Sequence, residues 1–114
     1  MKNLVGRHPE YFESILQLRP VKDEILDFIR EMIQSRDDVH ITKVVELKTG
    51  IDIYFDNQKF VRGALAQQLK RRFKGKLVIT RTLYGQHKMT SRLLYRATVL
   101  FRIDEDKKED SLDN

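Results

Sequence analysis

Apolar residues recur at two different spacings along this chain, and the order of the two spacings limits the folds open to it. A period of two, typical of β-strands, covers residues 11–18, 39–47, 51–55, 77–84 and 92–103. A spacing of three and four residues, typical of amphipathic helices, covers residues 21–36 and 57–73. The sequence therefore predicts the element order β-α-β-β-α-β-β.

The first predicted helix has the clearest pattern in the chain. Its apolar residues are Val21, Ile25, Phe28, Ile29, Met32 and Ile33. Its opposite face, which we expect to be solvated and acidic, carries Asp23, Asp27, Arg30, Glu31 and Gln34. Pro20 is predicted to open this helix, because the N–H that proline lacks would have no partner in the first turn.

The second predicted helix begins at Asp56 or Asn57, either of which is a suitable N-cap. Its buried face is predicted to consist of Val61, Leu65, Leu69 and Phe73. Its opposite face is predicted to consist of Lys59, Gly63, Ala66 and Lys70. Glycine inside a helix costs about 1 kcal/mol relative to alanine, so Gly63 predicts a close approach of another group to the backbone. Gly75 is predicted to end the helix.

Alternate residues of a strand share a face of the sheet. On the second strand, the residues predicted to share a face are Val39, Ile41, Lys43, Val45 and Leu47. On the last strand, Arg92, Arg96 and Arg102 share a face and would form a basic row. An exposed edge strand that carries charge against aggregation would explain the same arginines, and the sequence leaves both interpretations open.

The predicted order is the split βαβ arrangement of ferredoxin-like α+β domains with one strand added at the C-terminus. Two helices should cover one face of an antiparallel or mixed sheet. With 114 residues, 40% of them apolar, the chain has the usual size of one domain, which we assign to residues 1–103. Residues 104–114 are predicted to form a disordered acidic tail, because they contain only one apolar residue.

Composition argues against several classes of site. The chain has no cysteine, and His8, His40 and His87 lack metal-ligand spacing, so neither a metal site nor a cofactor is expected. Asp52 and Asp56 would lie about 13 Å apart along a strand, and Asp56 is better explained as a helix cap. No nucleophile or phosphate-loop motif occurs, so we do not expect an enzyme. The apolar runs are too short to span a membrane, which favours the cytoplasm.

Charge is distributed very unevenly along the chain. Residues 57–103 contain twelve Lys or Arg and no Asp or Glu, whereas residues 1–56 have a net charge of −3 and residues 104–114 a net charge of −4. The whole chain has a net charge of +5. A stretch of 47 residues without a carboxylate, in a chain otherwise rich in them, indicates a surface that binds a polyanion.

RNA is the polyanion we expect. Five basic residues occur among the seven residues 70–76, enough to contact several phosphates and release their counterions. The predicted RNA-binding residues are Lys59, Arg62, Lys70, Arg71, Arg72, Lys74, Lys76, Arg81, Lys88, Arg92, Arg96 and Arg102. Alternatively, the cluster complements the negative end of the helix and keeps the protein soluble. That alternative does not explain why the two following strands also lack acids.

The loop 85–91, which contains His87 and Lys88, either enters an RNA groove or is an ordinary solvated turn. Tyrosines can stack on bases, but the aromatic signatures of RNA-recognition motifs and the GXXG loop of KH domains are absent. Most of the four tyrosines, Tyr11, Tyr54, Tyr84 and Tyr95, are better explained as sheet or core residues. Recognition of folded RNA by shape and phosphate position fits this composition better than base reading.

Three segments resemble a known family: YFESILQLR, GIDIYFDNQKFVRGALAQQLKRRFKGKL and YRATVLFR, in this order between Tyr11 and Arg102. In them the chain resembles the central region of the archaeal and eukaryotic large-ribosomal-subunit export adaptor, the family named after the third nonsense-mediated decay protein. The resemblance implies binding to the large subunit or its precursor during late assembly or quality control. Ribosomal RNA and ribosomal proteins are the partners it implies.

Members of that family carry paired CxxC zinc motifs in an N-terminal region. This chain has no cysteine and begins ten residues before the first segment, so it is expected to be either a stand-alone relative or a fragment. Zinc-dependent contacts are therefore not carried over. The RNA-facing residues that the resemblance implies are Lys59, Arg62, Lys70, Arg71, Arg72, Lys74, Lys76 and Arg96.

The sequence thus predicts a non-enzymatic module that binds structured RNA, with large-subunit ribosomal RNA as the expected partner. A second hypothesis is a protein-interaction adaptor, whose acidic helix face and acidic tail engage a basic ribosomal or assembly protein. A third is autoregulation, in which the acidic tail folds over the basic surface and competes with RNA.

Overall fold

The computed structural model describes residues 11–86 and 93–104, with side chains for residues 11–83 and 95–104. These residues form five strands and two helices in the predicted order. The strands are β1 (Ser14–Arg19), β2 (Ile41–Leu47), β3 (Gly50–Phe55), β4 (Gly75–Gln86) and β5 (Leu93–Ile103). The helices are α1 (Asp23–Gln34) and α2, which runs without interruption through Gln58–Phe60, Val61–Leu65 and Ala66–Arg72. The predicted α+β class is confirmed.

The strands form one mixed sheet in the order β2-β3-β1-β5-β4. β1 pairs antiparallel with β3 and parallel with β5, and β5 pairs antiparallel with β4. The added C-terminal strand is therefore inserted between β1 and β4, and β4 forms the edge. Because β5 has a neighbour on both sides, an edge strand does not explain Arg96 and Arg102.

The core lies between the two helices and one face of the sheet. The strands contribute Leu16, Leu18, Ile51, Ile53, Phe55, Val99, Phe101 and Ile103. The helices contribute Ile25, Ile29, Phe60, Val61, Leu65, Ala66 and Leu69. The rings of Phe28 in α1 and Phe73 after α2 meet edge to face, with centroids 5.7 Å apart. We call the other face of the sheet, which no described helix covers, the open face.

The α1 helix is shorter than predicted, but its polar face is as expected. It begins at Asp23, with Lys22 in the N-cap position, so Pro20 does not open it. The five predicted polar residues are all exposed, which confirms a solvated face. The preceding strand β1 begins at Ser14 and not at residue 11.

A bulge in β2 changes which side chains share a face. The register shifts between Ile41 and Lys43. Ile41 and Val44 consequently line an apolar groove against α1, whereas the Lys43 ammonium lies over the Tyr54 ring on the open face. The prediction that Ile41 and Lys43 share a face is wrong, because the extra residue at the bulge reverses the alternation.

The α2 helix buries a wider stripe than predicted. Its middle stretch, Val61–Leu65, is π-helical, and the N–H of Ala66 donates to the carbonyl oxygen of Val61. Because a π turn closes over five residues, Ala66 returns to the face of Val61 and is 1% exposed. The prediction that Ala66 lies opposite Val61 is therefore wrong.

Two glycines differ from their predicted roles. A Cβ atom at Gly63 would meet no heavy atom within 4 Å beyond its own helix, so the predicted close approach is not found. A Cβ atom at Gly75 would lie 2.5 Å from the carbonyl oxygen of Arg102. Gly75 is the first residue of β4 and does not end α2, which stops at Arg72. A residue without a side chain is needed there because β4 approaches β5 closely.

No helix within the described residues is long and apolar enough to cross a membrane. The predicted acidic tail lies outside the described residues, except for Asp104. The residues Lys88 and Arg92 and the tip of the loop between β4 and β5 also lie outside them.

Candidate nucleic-acid interface

The end of α2, the start of β4 and the end of β5 meet at one end of the sheet. Lys76 lies opposite Arg102 in the β4–β5 ladder, and the backbone N–H of Asp104 donates to the carbonyl oxygen of Lys74 at 3.0 Å. Only two residues separate α2 from β4. Six predicted RNA-binding residues therefore lie at this end of the sheet, Lys76 and Arg102 on the open face and the others on or just after the helix. We call them the basic end: Lys70, Arg71, Arg72, Lys74, Lys76 and Arg102.

All six side chains of the basic end are exposed. Ion pairs are described for Arg19–Asp52, Arg30–Asp27, Arg36–Asp38 and His40–Asp56, all of them within residues 19–56. Within the described part of the chain, no carboxylate pairs with a member of the basic end. Arg72 contacts the Phe28 ring, with its Cζ atom 4.8 Å from the ring centroid. Among the described residues, the positive charge at this end is therefore not compensated by an ion pair.

The helix dipole accounts for part of the basic end. Lys70, Arg71 and Arg72 occupy the last turn of α2, where cations are favoured by the partial negative charge of the helix terminus. Lys76 and Arg102 lie on strands, where no such field acts. Complementing the helix end therefore explains three of the six cations and leaves Lys74, Lys76 and Arg102 unexplained.

Lys59 lies far from the basic end and among acids. It is at the start of α2, about 16 Å along the helix axis from Lys70. It lines a concavity of about 470 Å³ together with Glu13, Asp37, Asp38, His40, Asp56 and Asn57. Four carboxylates and one lysine give this concavity an acidic character. One turn further along α2, the Nε of Arg62 donates to the Oε1 of Gln58 at 3.2 Å.

The predicted basic row on β5 is divided. Arg96 and Arg102 both point to the open face, but they are separated by about 20 Å along the strand. The Nε of Arg96 donates to the carbonyl oxygen of Phe12 at 3.0 Å, and its Cζ lies 3.8 Å from the Phe12 ring centroid. Arg81 lies on the helix side of the sheet, opposite Ala97, with its Cζ 4.9 Å from the Tyr95 ring centroid. These two arginines have aromatic partners away from the basic end.

Two aromatic rings on the open face lie between cations. The Phe12 and Tyr54 rings meet edge to face with centroids 4.9 Å apart. Arg96 lies over Phe12, and the Nζ of Lys43 is 5.1 Å from the Tyr54 centroid. Because each ring already has a cation over it, stacking of bases on them would require these side chains to move.

Arg19 is a residue of this end that sequence reasoning missed. It lines a concavity of about 740 Å³ with Pro20, Thr49, Lys76, Arg102, Ile103 and Asp104. Alternation along β1 places Arg19 on the open face, which the sequence could have indicated. Its proximity to Arg102 depends on the pairing of β1 with β5, and no local pattern encodes that pairing.

The two carboxylates considered for catalysis have structural partners. Asp52 binds Arg19 at 2.6 Å. Asp56, 8% exposed, accepts a hydrogen bond from the His40 backbone N–H at 2.7 Å, and its second oxygen lies 2.9 Å from the His40 Nδ1. The N-cap of α2 is Asn57, whose Oδ1 accepts from the Phe60 N–H at 2.9 Å. The interpretation of Asp56 as a cap is therefore wrong, because Asp56 fastens the segment before β2 to the end of β3.

Across residues 11–86 and 93–104, no three His, Asp or Glu side chains are grouped so that they could hold a metal ion.

No curated protein matches the chain. Residues 11–103 match a sequence profile of the NMD3 family, and this profile describes the second domain of NMD3. The match includes all three segments that carried the family resemblance, every strand and both helices. Because it extends over most of the 114 residues, the chain belongs to the NMD3 family.

Proposed function

We propose that this domain binds structured RNA of the large ribosomal subunit, without catalysing a reaction, during assembly or quality control of that subunit in the cytoplasm. Membership of the NMD3 family links the chain to the export or assembly of ribosomal subunits. The observation that carries the RNA proposal is the basic end, where six exposed cations lie at one end of the sheet, on both of its faces, and none of them pairs with a carboxylate of the described residues.

Phosphate contacts explain why such a surface would prefer RNA. Each Lys or Arg that neutralises a phosphate releases a condensed counterion, and this release drives binding independently of base sequence. The basic end presents its cations on two different supports, a helix end and a pair of strands, so the fold fixes where each side chain is attached. Fixed positions suit an RNA whose phosphates are also held in place by folding.

The test compares two variants of the full chain that lose the same charge. In the first, Lys70, Arg71 and Lys74 are replaced by Gln; these three are exposed and have no described side-chain partner. In the matched control, Arg30, Arg36 and Lys43 are replaced by Gln, away from the basic end. Binding to fragments of large-subunit ribosomal RNA is measured by filter retention, and circular dichroism verifies that both variants are folded.

The first variant is expected to bind at least tenfold more weakly than the natural chain. Each lost phosphate contact leaves one counterion on the RNA, so the favourable free energy of releasing that counterion is lost. The control is expected to keep most of the affinity, because only the overall charge has changed. Equal losses in the two variants would show that net charge alone matters and would contradict a localised RNA-binding surface.

One observation favours the adaptor hypothesis as a second candidate. The acidic concavity around Asp37, Asp38 and Asp56 lies at the opposite end of α2 from the basic end and could receive a basic segment of a ribosomal or assembly protein. Co-purification that persists after nuclease treatment and is lost when Asp37 and Glu13 are neutralised would favour this candidate. Co-purification abolished by nuclease would favour direct RNA contact.

A further inference from the structure

Three cations form a line across adjacent strands of the open face. Arg19 of β1 lies beside Arg102 of β5, and Arg102 lies beside Lys76 of β4. Neighbouring strands are about 4.8 Å apart, so the line extends over roughly 10 Å. We call these three residues the cationic row. Lys76 and Arg102 were expected among the RNA-binding residues, whereas Arg19 belongs to the half of the chain with a negative net charge.

The cationic row places like charges next to each other without a compensating partner for two of them. Like charges directly opposite in an antiparallel pair are destabilising, and Lys76 and Arg102 are such a pair. Within the described residues, neither side chain forms an ion pair or a hydrogen bond. A bound anion between them would replace this repulsion by attraction.

Arg19 is held in position for such an anion. Its Nη1 donates to the carbonyl oxygens of Leu18 at 3.0 Å and Ile51 at 3.1 Å, and its Nη2 donates to Asp52 at 2.6 Å. Its side chain is 17% exposed. A guanidinium has five N–H groups, so three described bonds leave two for a ligand. Because the side chain is already ordered, little conformational entropy is lost when a ligand binds.

The cationic row lines an open concavity. Its volume is about 740 Å³, and Thr49 and Asp104 also line it. Asp104 is the one carboxylate in that lining, so the charged groups there sum to a net positive charge. The concavity adjoins the basic end through Lys76 and Arg102, which belong to both.

We propose that the cationic row binds phosphate groups of an RNA backbone that crosses β1, β5 and β4 on the open face. The proposal rests on the proposed function and assigns part of the RNA contact to the sheet in addition to the end of α2. Arginine binds phosphate through paired N–H donors, and the lysine contributes a compact charge. The row is longer than a single phosphate and continues into the basic end, which favours a polymer over a small phosphate ligand.

The test uses the full chain and the same ribosomal RNA fragments, with two variants of equal charge change. Lys76→Gln with Arg102→Gln removes two members of the row. Lys70→Gln with Arg71→Gln removes two cations from the helix end. If the row binds phosphates, both variants lose affinity. For each variant, the slope of log K against log salt concentration then becomes less steep by about one unit per removed contact. Free ATP should compete poorly with RNA; competition at equal phosphate concentration would contradict a backbone site.

The outcomes separate the two proposals. Weaker binding by the helix-end variant only would overturn the cationic row and leave the proposed function standing. Unchanged binding by both variants would overturn both. The row variant is expected to melt at the same or a higher temperature than the natural chain, because repulsion between Lys76 and Arg102 is removed; its weaker binding then cannot be attributed to misfolding.

Asp104→Asn is a second variant with the opposite expected sign. It removes the carboxylate from the concavity, so RNA affinity should increase severalfold. Unchanged or weaker binding would contradict the placement of the backbone along the cationic row.

Discussion

The guanidinium of Arg96 lies over the Phe12 ring, with its Cζ 3.8 Å from the ring centroid, and its Nε donates to the carbonyl oxygen of the same residue. These contacts attach the segment before β1 to β5. Arg102, six residues further along the same face of β5, contacts no described side chain in this way. The alternation along β5 predicted the same role for both arginines. We therefore expect Arg96 to contribute to stability and Arg102 to be available for binding.

Arg96→Ala should destabilise the protein by about 1–2 kcal/mol, the sum of a cation–π contact and a hydrogen bond. Arg102→Ala should change stability by less than about 0.5 kcal/mol, as is usual for an exposed side chain, since none of the described residues pairs with it. Urea unfolding followed by circular dichroism measures both. A larger loss of stability in the Arg102 variant would contradict this division.

Gly75→Ala and Gly63→Ala should change stability in opposite directions. A methyl group at Gly75 would meet the carbonyl oxygen of Arg102, and the strain should cost about 1–3 kcal/mol. Space is open at Gly63, so alanine should stabilise α2 by up to about 1 kcal/mol. Thermal unfolding of the two variants checks the signs. A stabilising Gly75→Ala would show that β4 and β5 are not held as closely as described.

Asp56 and Asn57 should protect different backbone amides. Asp56→Ala leaves the His40 N–H without its acceptor, at a cost of about 1–3 kcal/mol, and Asn57→Ala removes the α2 cap, at a cost of about 0.5–2 kcal/mol. Amide hydrogen exchange should accelerate at His40 in the first variant and at Phe60 in the second. The reverse pattern would restore Asp56 as the cap.

The Arg36 guanidinium lowers the pKa of Asp38 through a side-chain hydrogen bond, and the same bond raises the pKa of Arg36. Since the pKa of Asp38 is lowered on folding, the stabilisation is present above the ordinary carboxyl pKa and disappears as pH falls through the lowered value. Arg36→Gln should therefore raise the pKa of Asp38 toward its ordinary value. A carboxyl-carbon NMR titration measures it, with Arg30→Gln as the control that leaves Asp38 unchanged. No rise in the Arg36 variant would contradict the pairing.

Local patterns predicted the elements and most of the buried faces, because period and burial are linked in both helices and strands. They did not predict the π turn that buries Ala66, since an extra residue in a helical turn leaves no mark on composition. The choice between Asp56 and Asn57 was also open, because both side chains can cap. Strand order depends on pairing between distant residues, so the insertion of β5 between β1 and β4 could not be seen.

The same limit applies to the candidate site. The acid-free stretch identified six residues that the fold places at one end of the sheet, on both of its faces. It also included Lys59, which lies among carboxylates, and Arg81, which lies on the helix side of the sheet. It omitted Arg19, because only the pairing of β1 with β5 brings that residue beside Arg102 of the basic end. Charge along a sequence shows that a surface is basic, and the topology decides where that surface lies.

Whether the basic end binds RNA is decided by the salt dependence of binding to large-subunit ribosomal RNA. We expect the logarithm of the binding constant to fall linearly and steeply with the logarithm of the salt concentration. Replacing Lys70, Arg71 and Lys74 by Gln should make this slope less steep by about one unit per removed phosphate contact. A slope near zero in the natural chain, or an identical slope in the variant, would contradict an RNA-binding basic end.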